Sequence, residues 1–177
     1  FIFGDYSPVG GGGIFPMIIT TIYTIIISLL IATPIGILAA VYLQEYAKQG
    51  RLVRIIRYAT ESLTGIPSII YGLFGAVFFV AILKLGMSII AASLTLTIIV
   101  LPVIIRTTEE ALKTVPASYR EGSLALGTTK LQTLYKVILP SAMPGILSGI
   151  ILSIGRIVGE SAAIFLTAGT VAAMPDS

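Results

Sequence analysis

The sequence predicts an all-α polytopic membrane protein with four transmembrane helices and one long, structured loop between the third and the fourth. Three observations predict it. Of 177 residues, 56% are hydrophobic and 11% charged, against roughly 25% charged in an ordinary soluble domain. The charged residues are missing over stretches long enough to cross a bilayer. The stretch from 106 to 140 carries helix-capping signals of its own. A soluble fold of this length could not hide so much apolar surface in one core, so the bilayer has to be the solvent.

The charge gaps place the spans. No charged residue lies between Asp5 and Glu45, and the first span covers about 14–43. That is longer than the ~20 residues a crossing needs, and Pro34 and Gly36 inside it are candidate bend points. Further spans fall at about 64–83, 87–105 and 142–173, the last interrupted by Arg156 and Glu160. Together they form a single transmembrane domain over residues 1–177. Orientation follows from Lys and Arg. Lys48, Arg51, Arg54 and Arg57 lie between the first two spans, and Arg106, Lys113, Arg120, Lys130 and Lys136 between the last two. The opposite side shows Lys84, in the tight turn Lys84-Leu85-Gly86. Both basic loops are therefore expected in the cytoplasm and both ends of the chain outside. Phe1, with no initiator Met and no basic leader segment, reads as an internal start.

The first basic loop has helical spacing. Leu52, Ile55, Ile56 and Ala59 recur at i, i+3, i+4 and i+7, with the arginines on the remaining surface, so this helix is expected along the membrane surface. A topogenic loop on anionic lipid would also explain its charge. The second loop, 106–140, is long enough to need structure of its own. Ser118 and Glu121 have capping-box spacing, and Gly127 stands where a helix would end. Thr129 and Gln132 repeat the capping signal, and Pro140 is expected to end the second helix. Two short helices joined at an angle make a knob suited to a partner's groove.

Arg156 and Glu160 are the ionisable residues of the last span. Thirteen residues beyond Met143, Arg156 is about 20 Å along a helix, near mid-membrane. There a charge costs at least roughly 3 kcal/mol. The i, i+4 spacing lets the two neutralise one another. Two readings stand side by side. In one the pair fixes helix packing. In the other Arg156 faces a translocation path and offers its donors to an oxyanion, while Glu160 holds it between ligands or gates passage. Gly145, Gly149, Gly155 and Gly159 make two Gly-x-x-x-Gly steps on the same helix, suited to close packing.

Several functions are excluded by composition. The chain has no cysteine and no histidine, which removes disulfides, thiolate chemistry and the commonest metal ligand and general base. No Gly-x-x-x-x-Gly-Lys-Ser/Thr loop is present. No catalytic residue, metal site, bound cofactor or nucleic-acid partner is expected.

The residues then carry a resemblance. Glu121-Gly122-Ser123, Gly127 and Val137-Ile138-Leu139-Pro140 are similar to the EAA loop of ABC importer permeases, whose pattern is Glu-Ala-Ala, three residues, Gly, nine residues, Ile-x-Leu-Pro. Gly122, Ser123 and Val137 depart from it. The segments Leu101–Leu112, Gly155–Ala162, Gly11–Pro16 and Glu61–Ser68 resemble phosphate importer permeases. Ala162–Gly169 looks more like the PstA-type subunit than its PstC-type partner, although Ser161 and Ala163 replace that group's Thr and Pro.

The resemblance implies a type I (MetI-like) ABC importer permease core in the cell membrane. It implies that Glu121, Ala125, Gly127, Leu139 and Pro140 couple to the ATPase, and it supports Arg156 and Glu160 in the path of phosphate. The implied partners are a cytoplasmic ATPase dimer that uses the ATP, a second homologous permease and an extracytoplasmic phosphate-binding protein. Such permeases have about six spans, so four spans with outward ends is the pattern expected of one lacking a span at each end. Sulfate or molybdate permeases, an ion-coupled transporter using Arg156 and Glu160 as a proton relay, and a membrane scaffold are the alternatives.

Overall fold

The computed structural model describes residues 15–169, and every regular element among them is helical. Residues 11–14 and 170–173, used above, lie outside this range, as do both ends of the chain. Helix α1 spans Phe15–Val41 and continues as a π-helical turn over Tyr42–Tyr46. Next come α2, Arg51–Thr64, and α3, Ser68–Gly75, which runs on in π-helical form over Ala76–Ile82. Helix α4 spans Ile89–Thr114, α5 Ala117–Ala125 and α6 Lys130–Thr133. A π-helical stretch, Leu134–Ile138, leads into α7, Leu139–Gly159, and α8 is Ser161–Ala168.

Among the described residues, three continuous helices are long and apolar enough to cross a membrane: Phe15–Tyr46, Ile89–Thr114 and Lys130–Gly159. A fourth crossing requires α2 and Ser68–Ile82 to count together, although the chain bends by 98° between them. The bend falls at Gly65-Ile66-Pro67, where a residue before proline is pushed out of the helical region. The spans at 14–43, 64–83 and 87–105 thus correspond to helices, with shifted limits. Helix α4 in particular runs nine residues past 105, because Arg106–Thr114 keeps helix-compatible residues and meets no breaker until Pro116.

The last span differs more. No single helix covers 142–173. The helix starts at Lys130 and stops at Gly159; Glu160 leaves the helical region at φ −86°, ψ 84°, and α8 begins beyond it. Pro140 does not end the preceding helix. Proline lacks an N–H and crowds the carbonyl four residues back. Here the turn just before it is widened, with the Leu139 N–H bonded to Leu134 O, five residues back. A π-bulge of this kind lets a helix take in a proline without stopping.

The chain divides into two compact units. The first takes residues 15–31, 66–99 and 154–169. Several of its buried hydroxyls return to backbone carbonyls: Ser28 Oγ donates to Thr24 O at 2.7 Å and lies 3.1 Å from Ser93 O, joining α1 to α4. Helix α8 lies against α3 where α3 has no side chains. A Cβ on Gly72 would stand 3.0 Å from Ala163 Cα, and one on Gly75 would strike Thr95 and Thr167. The Ser88 N–H bonds Thr167 O at 3.1 Å, closing the turn at Lys84 and Gly86, both at positive φ.

The second unit takes residues 32–65 and 100–153. Its core gathers Val41, Leu112, Val115, Leu134, Ile138 and Ile146, each at most 7% exposed. Helices α4 and α7 approach through the first Gly-x-x-x-Gly step: a Cβ on Gly145 would come within 2.6 Å of Ala111 Cβ, and one on Gly149 would overlap the Thr107 hydroxyl. The second step, Gly155 and Gly159, has nothing within 4 Å. Gly149→Val should therefore cost about 1–3 kcal/mol of stability by overpacking, read as a lowered thermal midpoint of the purified protein. Gly155→Ala, at an open helical position, should leave the midpoint unchanged or raise it.

Candidate functional site

Two groups of residues stand out, one in each unit. In the first unit Arg156 occupies the last turn of α7, and Glu160 is the single residue joining α7 to α8. Both helices end there for local reasons. Gly155 and Gly159 weaken the end of α7, and the Glu160 N–H takes a shortened bond to Ile157 O at 3.2 Å. The spacing does bring the pair together, with Arg156 Nε 3.6 Å from Glu160 Oε1. The side chains are 26% and 12% exposed. At that separation the contact is an ion pair without a hydrogen bond. The Arg156 guanidinium, with its planar fork of donors, makes no side-chain hydrogen bond among the described residues. Buried Tyr71 of α3 lies within reach of its charge. The arginine is thus in the last turn before a helix break and not in the middle of one long span, because the breaker, Gly159-Glu160, begins three residues after it.

The second group is the segment from Pro116 to Pro140. Helix α5 begins two residues earlier than the capping signal implied, with Pro116 at the N-cap and no side-chain cap. Ser118 and Glu121 therefore form no capping box, and the Glu121 side chain is left exposed. The second box does form: the Gln132 N–H bonds Thr129 Oγ1 at 3.2 Å and the Thr129 N–H bonds Gln132 Oε1 at 3.0 Å. Gly127 follows α5 at φ +82°, a left-handed position that glycine adopts without strain. Ser123, Thr128 and Thr133 close a triangle of hydroxyls at 2.8, 3.0 and 2.9 Å that ties α5 to α6. An alanine at 123 could not make it.

Glu121, Ala125, Gly127 and Pro140 are exposed, and Leu139 is half-buried against the core of its unit. Around them Tyr119, Leu124, Leu126, Leu131 and Tyr135 are 48–87% exposed. That is an apolar surface on a segment otherwise fixed from below by ions.

Those ions escaped the sequence reading. Arg120 Nη2 lies 2.5 Å from Glu45 Oε1 and also donates to Leu112 O, while Nη1 donates to Val115 O at 3.3 Å. Lys130 Nζ donates to Glu45 O at 2.5 Å and stands 4.8 Å above the Tyr46 ring. Glu45, at the end of the first helix, so holds both α5 and α6. A second cluster joins α2 to α4. Arg57 Nε donates to Glu109 Oε1 at 3.0 Å, and Arg106 bridges Glu61 at 3.1 Å and Glu110 at 3.2 Å. The signal available in sequence was that five of the eight acidic residues, Glu45, Glu61, Glu109, Glu110 and Glu121, fall among the basic loops. Their partners stand up to 75 positions away.

The fold defines a polytopic helical membrane protein whose two-helix segment exposes an apolar surface. Residues 32–175 match the family described as binding-protein-dependent transport system inner membrane component, and the chain belongs to that family. Among curated proteins it is 42% identical over 159 residues to the probable ABC transporter permease protein YqgI of Bacillus subtilis (strain 168), covering 90% of this chain and 54% of that one. It is 40% identical over 158 residues to phosphate transport system permease protein PstA 1 of Mycobacterium tuberculosis (strain ATCC 25618 / H37Rv), covering 89% and 51%. To PstA of Pasteurella multocida (strain Pm70) it is 40% identical over 157 residues, covering 89% and 56%. The chain spans about half the length of these relatives. Among solved structures, an inward-facing MetNI methionine ABC transporter matches with a TM-score of 0.71 and 27% identity, covering 89% of this chain and 73% of that one. The fold is thus that of a MetI-like ABC permease core.

If Glu45 is the anchor of the two-helix segment, Glu45→Gln should cost about 1.5–3 kcal/mol, the range for hydrogen bonds to charged groups. It should also speed protease cleavage near 115–130. Glu110→Gln, which removes an exposed pair, should cost below about 1 kcal/mol and leave cleavage unchanged.

Proposed function

We propose that the chain is the transmembrane core of a PstA-type permease subunit that passes inorganic phosphate into the cytoplasm, driven by ATP hydrolysis on a partner. One observation carries the reading: permeases named for phosphate transport are about 40% identical to this chain over nine-tenths of its length. The chemistry of Arg156 agrees with it. Phosphate needs a cationic donor inside the bilayer, but one that releases it again. A guanidinium with uncommitted N–H groups and a carboxylate 3.6 Å away offers both: the anion takes the donors, and Glu160 reclaims the charge afterwards.

In this reading the chain itself is non-catalytic and binds no cofactor. The exposed apolar surface around Leu124 and Leu126 docks a cytoplasmic ATPase dimer, with Glu121, Ala125, Gly127, Leu139 and Pro140 at or beneath the contact. A second homologous permease completes the path, and an extracytoplasmic binding protein delivers phosphate. The assembly sits in the cell membrane, with the basic loops inside.

Replacing Arg156 with Gln should abolish uptake of labelled phosphate while the complex still assembles; normal uptake would remove Arg156 from the path. An excess of sulfate should not compete in the unsubstituted importer, and full competition would reassign the substrate to oxyanions in general. Gly127→Val, strained by about 1–2 kcal/mol at its left-handed position, should lower phosphate moved per ATP hydrolysed. An unchanged ratio would confine the segment to a structural role.

A further inference from the structure

Helix α2 is held by its polar side and turns its apolar side outward. At about 100° per residue, Val53, Arg57 and Thr60 share one stripe, and it faces the protein: Val53 is 3% exposed and Arg57 is bonded to Glu109. Leu52, Ile55 and Ile56 lie on a second stripe and are 71%, 66% and 37% exposed. Arg51, Arg54 and Tyr58 occupy the third, all exposed. A helix on a soluble surface would be turned the other way, with its apolar stripe against the core. Fourteen residues make about 21 Å of helix, short of the ~30 Å hydrocarbon core, so α2 does not cross the bilayer alone.

The charges say what covers the apolar stripe. Arg57 and Arg106 are neutralised by Glu109, Glu61 and Glu110. Lys48, Arg51 and Arg54 are exposed and form no ion pair among the described residues. Three unneutralised cations beside an outward apolar stripe are the pattern of a helix lying in the membrane interface, where anionic headgroups supply the missing charge. A topogenic loop accounts for the positive charge, but it does not require an outward apolar stripe or an inward polar one.

We propose that α2 is an interfacial seat for anionic phospholipid, its Leu52–Ile55–Ile56 stripe among the acyl chains and Lys48, Arg51 and Arg54 at the headgroups. The proposal does not depend on the transported solute. The chain has no tryptophan, so Ile55→Trp introduces a reporter, read as the emission difference from the unsubstituted complex. The intact permease complex would be placed in phosphatidylcholine nanodiscs carrying either brominated phosphatidylglycerol or the same fraction of brominated phosphatidylcholine. The expected result is quenching of the introduced indole by both, at least about threefold stronger with phosphatidylglycerol. That preference should fall towards one with Arg51→Gln and Arg54→Gln together. No quenching by either lipid would mean that protein covers the stripe and would overturn the proposal. Equal quenching by both would overturn its anionic part, leaving a lipid contact without headgroup selection.

Discussion

Backbone amides cannot be left unpaired where there is no water to take them, and that constraint organises the rest of the structure. It makes every described element a helix and sends the buried hydroxyls of Ser28, Thr95, Thr97 and Ser153 back to nearby carbonyls. With little hydrophobic drive between helices in lipid, close approach has to come from small residues. Gly72 and Gly75 admit α8, and Gly145 and Gly149 admit α4. At Pro140 the turn before the proline widens into a π turn and the helix does not end. Among the departures from regular helix, those at Glu160, Gly127 and the turn before Leu139 fall beside residues of interest.

Charge is handled differently in the two units. In the second, carboxylates and guanidiniums are matched at hydrogen-bonding distance, Arg57 with Glu109 and Arg120 with Glu45, and several remaining donors are used by Gln49, Gln44 and backbone carbonyls. Such pairs fix geometry, since removing one member strands a partly buried charge. In the first unit the Arg156–Glu160 pair is longer and shares no hydrogen bond. The contrast is one of commitment: the matched pairs use most of their donors on protein partners, and Arg156 makes no side-chain hydrogen bond among the described residues.

Much of this was legible in the sequence. Charge gaps found the membrane helices because lipid leaves few alternatives, and the capping box at Thr129 and the glycine at 127 were read correctly because their signals are local. The i, i+4 spacing of Arg156 and Glu160 also sufficed to pair them. Other features depended on distant residues or on competition between rules. Ser118 and Glu121 had the spacing of a box, but Pro116 started the helix two residues sooner. Pro140 looked like a stop, because nothing in the sequence states that the preceding turn will widen. The Glu45–Arg120 anchor joins residues 75 positions apart, which no window on one sequence can pair. The Ser123 triangle could be noticed only as a departure from the expected alanine, with its reason supplied by Thr128 and Thr133.

The widened turn before Pro140 has a consequence for the proposed transport cycle. Had the helix ended there, the two-helix segment and the arginine would belong to separate elements joined by a hinge. Instead one helix runs from Lys130 to Gly159, carrying Leu139 near its start and Arg156 in its last turn. The seventeen steps from one to the other make about 25 Å of helix, with Pro140 and Pro144 inside it. Helices α5 and α6 are tied together by Ser123, Thr128 and Thr133, in the same unit as Leu139. At the far end of the long helix the only residue between α7 and α8 is Glu160, the acid that holds Arg156. The pair stands at 3.6 Å, longer than a hydrogen bond, so in the proposed cycle a small change in that separation would decide whether the guanidinium belongs to the carboxylate or to an anion.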